Sequence, residues 1–204
     1  YLANHLRRDV SNLTRLSFYQ NTDFLTLDAT TLRNLEVLEP LHRDAPRNTS
    51  LFGALNRTVT PMGARRLRDW LSQPLASEEA IRQRQEIVAL WVANPYLLDQ
   101  FRAQLGEVRD LERTISRLSA GSGNGRDLLG LKAALMQVPA IRQLLQELAA
   151  AGERLALQEN SSLLAAVPQE EKGAAATLLR DLECQLCEAP DLVELIERAI
   201  VEEP

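Results

Sequence analysis

The chain has 204 residues, enough for one domain with a real core or for two small ones. It is 45% hydrophobic but only 4% aromatic, so the core must be built mainly from Leu, Ala, Ile and Val. A net charge of −5 argues against a stand-alone nucleic-acid binder, which carries a basic surface, and no run of about 18 apolar residues predicts a membrane span.

The N-terminus, YLANHLRRDV, lacks the apolar stretch of a signal peptide. With no initiator Met and an abrupt end at Pro204, the sequence reads as a piece of a longer protein. Cys184 and Cys187 suit a reducing, cytoplasmic setting better than a disulfide scaffold. Lys132 and Lys172 are its only lysines, so the basic residues are nearly all arginine.

Leu2, Leu6, Val10, Leu13 and Leu16 fall on one helical face and predict a first helix of about four turns. Phe18 to Leu27 changes pattern and reads as two short extended pieces around a turn, a small hairpin. Asp28 is placed to cap a helix carrying Leu32, Leu35 and Leu38, and Pro40 to Thr49 reads as a surface loop.

From Leu51 to Leu75 the chain predicts a short helical piece, a break and a better-defined helix. Thr60 stands at the N-cap and Pro61 at the first helical position, where its missing donor and fixed φ suit the helix. Leu67, Trp70 and Leu71 give one apolar face, and Pro74 stops the helix. Gly63, roughly 1 kcal/mol worse than alanine in a helix, suggests that another backbone passes close by.

Ser77, Glu78 and Glu79 open the next helix, with Ile81, Ile87, Val88 and Trp91 on its inner side and Asn94-Pro95 at its end. Tyr96 to Leu118 keeps its apolar period throughout and predicts one strut of roughly 30 Å. The 121–125 GSGNG run breaks the chain, and Asn124 or Asp127 caps the next helix. Pro139 is expected to separate two helices and Gly152 to end the second. Leu155 to Val167 is ambiguous, and two helices divided by Pro190 close an all-α, irregular multi-helix domain with at most one small hairpin.

Chemistry is sparse. Cys184 and Cys187 form a C-x-x-C, but a zinc site needs about four ligands and neither a second pair nor a nearby histidine is present. GSGNG lacks the Lys-Ser/Thr and the strand of a phosphate loop and reads as a helix connection. Arg65, Arg66 and Arg68 could meet phosphates, although a cluster this short more often faces solvent or pairs internally, for instance with Asp69. His5 and His42 have no triad partners, and Met62, Trp70 and Trp91 are most simply core residues. No catalytic, cofactor-binding or metal-ligating residue is assigned.

Several motifs in order carry a resemblance: LDATTLRNLEV at Leu27–Val37, SLFGALNRTVTPMGARRLRDWLSQPL from Ser50, RQEIVALW at Arg84–Trp91, VRDLERTISRLSAG at Val108–Gly121 and GRDLLGLKAAL at Gly125–Leu135. They resemble the core, or lever, domain of the MutS mismatch-repair ATPases. The likeness fades after about Leu148 and returns at the terminal AIVEEP. It implies that residues 1–204 are the first segment of that core domain, ending about where helices toward a DNA-gripping clamp begin. It further implies a parent that is a DNA-dependent ATPase using ATP and Mg, a homodimer that binds mismatched duplex DNA and a MutL-like partner in the cytoplasm. The mismatch-probing and ATPase motifs of that family are not among these residues. On this resemblance, Thr60, Pro61, Gly63, Arg65, Trp70 and Leu71 are candidates for a junction that couples domains. The alternative reading is a stand-alone helical adaptor that binds a protein partner through an apolar groove and needs no ATPase. Cut from its neighbours, such a segment is expected to expose apolar surface and self-associate.

Overall fold

In the computed structural model, which describes residues 5, 23–42, 44–157 and 174–200, one long helix carries the core. In chain order the described elements are α1 (Ala29–Asn34), a 3-10 turn (Arg47–Thr49), α2 (Leu51–Leu55), α3 (Pro61–Ser72), α4 (Glu78–Ala93) and α5 (Pro95–Gly106). They continue with α6 (Leu111–Ser119), α7 (Gly125–Leu157), α8 (Ala174–Gln185) and α9 (Pro190–Ala199). The described residues contain no strand, and the all-α reading holds.

α7 packs on α8, α5, α9, α6 and α4. Its Ala134, Ile141, Leu145, Leu148 and Ala149 meet Leu90 of α4, Val108, and Ala175 and Leu179 of α8 in one buried cluster. Leu148 is 0% exposed. Trp91 and Phe101 pack at its edge, ring centroids 4.8 Å apart. The aliphatic core expected from composition is what forms.

Pro139 lies inside α7 and does not divide it. An interior proline costs about 3 kcal/mol. Each large apolar side chain buried on the flanking turns returns roughly 1.5–3 kcal/mol, so burial wins. Gly152 likewise does not end α7; a Cβ there would sit 3.0 Å from Leu90 Cδ1, so the glycine lets α4 approach.

The predicted strut from Tyr96 to Leu118 is two helices, α5 and α6. Gly106 and Glu107 close the first, and Asp110 opens the second by accepting from the Arg113 amide at 3.3 Å. Val108, in the connection, is buried, so the apolar period persists across the break.

α4 also turns differently from expectation. Leu90 and Glu86 are buried, whereas Ile81 and Val88 are exposed. Glu86 accepts from the Ala175 amide at 3.2 Å, so a carboxylate of α4 satisfies a donor in the first turn of α8. The C-x-x-C cysteines are free and exposed at the end of α8.

Asp28 caps α1 as expected, accepting from the Thr31 amide at 2.6 Å. The helix then stops at Asn34, leaving Leu38 outside it. Glu36 turns the chain at φ 49°, and the Glu36 and Val37 carbonyls accept the Leu51 and Phe52 amides at 3.0 and 2.8 Å. Ser50 caps α2.

Apart from His5, the predicted first helix lies outside the described residues, as does the start of the predicted hairpin. From Asp23 onward that segment pairs with the chain after α3: Phe24 bridges Leu75 in antiparallel fashion, and the Leu25 amide donates to the Pro74 carbonyl at 2.8 Å.

Candidate functional site

The TPMG start of α3 forms as its residues dictate. Thr60 is extended, its hydroxyl accepts from the Gly63 amide at 3.0 Å, and Pro61 occupies the first turn. At 1.5 Å per residue the twelve residues of α3 span roughly 18 Å, which separates Thr60 at one end from Trp70 and Leu71 at the other. No residue of α3 is fully buried; Met62 packs against the core cluster, and Leu67 and Leu71 are half-buried.

Gly63 is not passed by another backbone. A Cβ there would meet Thr60 Oγ1 at 3.0 Å and the Thr58 side chain at 3.4 Å, so the glycine makes room for the cap itself. Gly53 has the close approach: a Cβ on it would overlap the Arg47 carbonyl and stand 2.9 Å from Asn48 Cα.

The arginines of α3 go three ways. Arg65 holds Asp110 with both terminal nitrogens, at 2.8 and 2.7 Å, and reaches Glu112 through Nε at 3.0 Å. These hydrogen bonds pull the Asp110 carboxyl down to about 2 and raise the Arg65 guanidinium above its ordinary range. Arg68 pairs with Glu39 at 3.0 Å and lies over the Phe52 ring. Arg66 lies 5.9 Å from the Trp70 ring centroid, and Arg84 of α4 stacks on the same indole at 3.8 Å. Asp69, the nearby carboxylate, is exposed and forms no ion pair among the described residues.

Trp70 is therefore not a core residue. It is 40% exposed, with its indole held between α3 and α4 by cations. Trp91 and Met62 do join the core. Sequence reasoning missed Asp110, Glu112, Glu39 and Arg84, which complete the site from distant parts of the chain. Asp110, directly before the Leu111 helix and in N-cap position, carried a readable signal; the others did not.

Between α1 and α3 an open cleft of about 550 Å³ is lined by Leu32, Leu38, Pro40, Leu41 and Arg68 among others. Elsewhere, Asn124 and Asp127 cap one another at the start of α7, each side chain accepting from the other's amide at 3.1 and 3.2 Å. The described residues contain no cluster of three His, Cys, Asp or Glu able to hold a metal, and no described helix is long and apolar enough to cross a membrane.

The geometry defines an α-helical scaffold with an ion-paired, cation-clad helix at its surface. Residues 30–204 match the family model described as MutS domain III, and the chain belongs to that family. It is 40% identical over 204 residues to the DNA mismatch repair protein MutS of Methanosarcina mazei, covering all of this chain and 20% of that protein. The corresponding protein of Symbiobacterium thermophilum is 38% identical with the same coverage, and that of Treponema pallidum strain Nichols is 39% identical over 171 residues, 80% of this chain. The chain spans about a fifth of the length of these relatives.

Proposed function

We propose that this chain is the first segment of the core, or lever, domain of a mismatch-repair ATPase, ending about where clamp-directed helices begin. Its work is mechanical: it couples binding of mismatched duplex DNA to binding and hydrolysis of ATP, with Mg, in other domains of a cytoplasmic, homodimeric parent that answers to a MutL-like partner. Family membership supports the setting. The observation that carries the coupling role is α3 itself, a helix with no fully buried residue that is nevertheless pinned to α6 through Arg65, Asp110 and Glu112.

The hold of Arg65 on Asp110 and Glu112 is either made or broken, and α3, with no fully buried residue, can change position with little loss of core packing. Thr60, Pro61 and Gly63 set where α3 begins, Arg65 sets its hold on α6, and Trp70 and Leu71 present its far end. A core biased by nucleotide at one site and DNA at another couples the two reciprocally.

Gly63→Leu tests this in the full-length parent, because a Cβ there already stands 3.0 Å from the Thr60 hydroxyl and leucine crowds the cap further. The expected result is a changed ratio of DNA affinities with and without nucleotide. An unchanged ratio in a folded variant overturns the coupling role and returns the adaptor reading.

A further inference from the structure

Five arginines sit on the neighbouring helices α3 and α4: Arg65, Arg66, Arg68, Arg82 and Arg84. Three are neutralised within the chain, Arg65 by Asp110 and Glu112, Arg68 by Glu39 and Arg82 by Glu78. The remaining two, Arg66 and Arg84, form no ion pair among the described residues, and they are the two that meet at Trp70. Two like charges on one exposed indole repel each other. Burial and the charge of Arg66 both push the Arg84 guanidinium below its ordinary range.

A guanidinium stacked on a ring keeps its in-plane N–H donors free, and their fork matches a carboxylate. We propose that the Trp70 surface of α3 and α4 docks an acidic segment of the parent protein that lies outside residues 1–204. That segment presents a carboxylate to each of Arg66 and Arg84 and apolar atoms to the indole. The inference rests on the reading of this chain as part of a longer protein, whose relatives carry about four fifths of their length elsewhere. Nucleic-acid phosphate is the less favoured occupant. With a net charge of −5, the domain opposes long-range approach of a polyanion, whereas a tethered segment needs no steering because its effective concentration is already high.

The test is a photo-crosslinker, p-benzoylphenylalanine, placed at position 70 and separately at the exposed position 66 of the full-length parent, with adducts mapped by mass spectrometry with and without duplex DNA. The expected adduct joins either position to a segment beyond residues 1–204 bearing at least two Asp or Glu, without DNA. With the probe at position 70, Arg66→Gln together with Arg84→Gln should lower its yield about threefold or more. Adducts to DNA, to a segment without acidic residues or within residues 1–204, or no adduct from either position, overturn the proposal. Coupling is read separately with Gly63→Leu, so a surviving adduct beside unchanged coupling defeats the proposed function and leaves the docking site standing.

Discussion

Arg65 grips Asp110 through two hydrogen bonds while Asp110 also caps α6, so one carboxylate both starts a helix and ties it to α3. The acid stability of the domain depends on this double use. The Asp110 carboxyl titrates at about 2 in the folded chain against an ordinary 3.8. Between about pH 4 and pH 2 the unfolded chain therefore takes up a proton that the folded chain refuses, and stability falls with falling pH. Above about pH 4 the contribution is complete. Asp110→Asn should flatten this part of the acid limb in denaturation midpoints measured from pH 2 to 5. Asp28, Asp127 and Glu183, each lowered by its own hydrogen bonds, leave a residual slope.

The glycines predict a ranking. Gly53→Ala forces a methyl into the Arg47 backbone, which cannot swing aside, and should cost about 1–3 kcal/mol. Gly63→Ala presses on the Thr60 hydroxyl and should weaken a cap worth about 1 kcal/mol. Gly152→Ala presses on the side-chain end of the buried Leu90 at 3.0 Å, which must give by a few tenths of an ångström. A helix-propensity gain of about 1 kcal/mol should offset this and leave the variant near neutral. Urea titrations of the three variants in which Gly53→Ala is not the least stable would refute the close approach at that turn.

Among the described residues, Leu148 of α7 and Leu179 of α8 are the largest fully buried apolar side chains. Truncating either to alanine should cost about 2–5 kcal/mol, read as a shifted denaturant midpoint at unchanged slope. A loss below about 1 kcal/mol at either site would place the core elsewhere.

Val88 and Val92, one turn apart, make an outward apolar stripe at the end of α4, 59% and 64% exposed, and Tyr96 at the start of α5 is 72% exposed. The 204-residue chain should therefore self-associate in sedimentation runs at high concentration, and Val88→Glu with Val92→Lys should restore the monomer. Identical sedimentation of parent and variant would remove this stripe as the cause.

Local signals are legible where they act locally. Thr60-Pro61, Ser77-Glu78-Glu79, Asp28 and Asn124 all open helices, because a cap needs only residues within one turn. Pro139 misleads because the helix-breaking tendency of proline is a local cost, whereas the burial that overrides it comes from α8 and α5, invisible to any short window. The break at Glu107–Asp110 hides behind a continuous apolar period, since Val108 stays buried in the connection. Val88 faces outward against expectation, and Glu86 turns inward, where its carboxylate meets the Ala175 amide in the first turn of α8, a partner 89 residues away. For the site, the α3 half is legible and the partner half is not. Arg65 and Asp110 are 45 residues apart, and no spacing rule reaches that far.

Pro139 leaves α7 continuous, yet with one rung of its hydrogen-bond ladder missing near the middle of a rod roughly 50 Å long. The ion pairs of that rod sort themselves by side. Before the proline, Asp127 takes Arg117 of α6 and Lys132 takes Glu197 of α9; after it, Arg142 takes Glu183 and Glu153 takes Arg180, both of α8. A beam notched between two sets of fastenings has its greatest bending compliance at the notch. Under the proposed coupling, force entering through α6 and α9 would reach α8 as a change of angle at Pro139, with the ion pairs at either end kept.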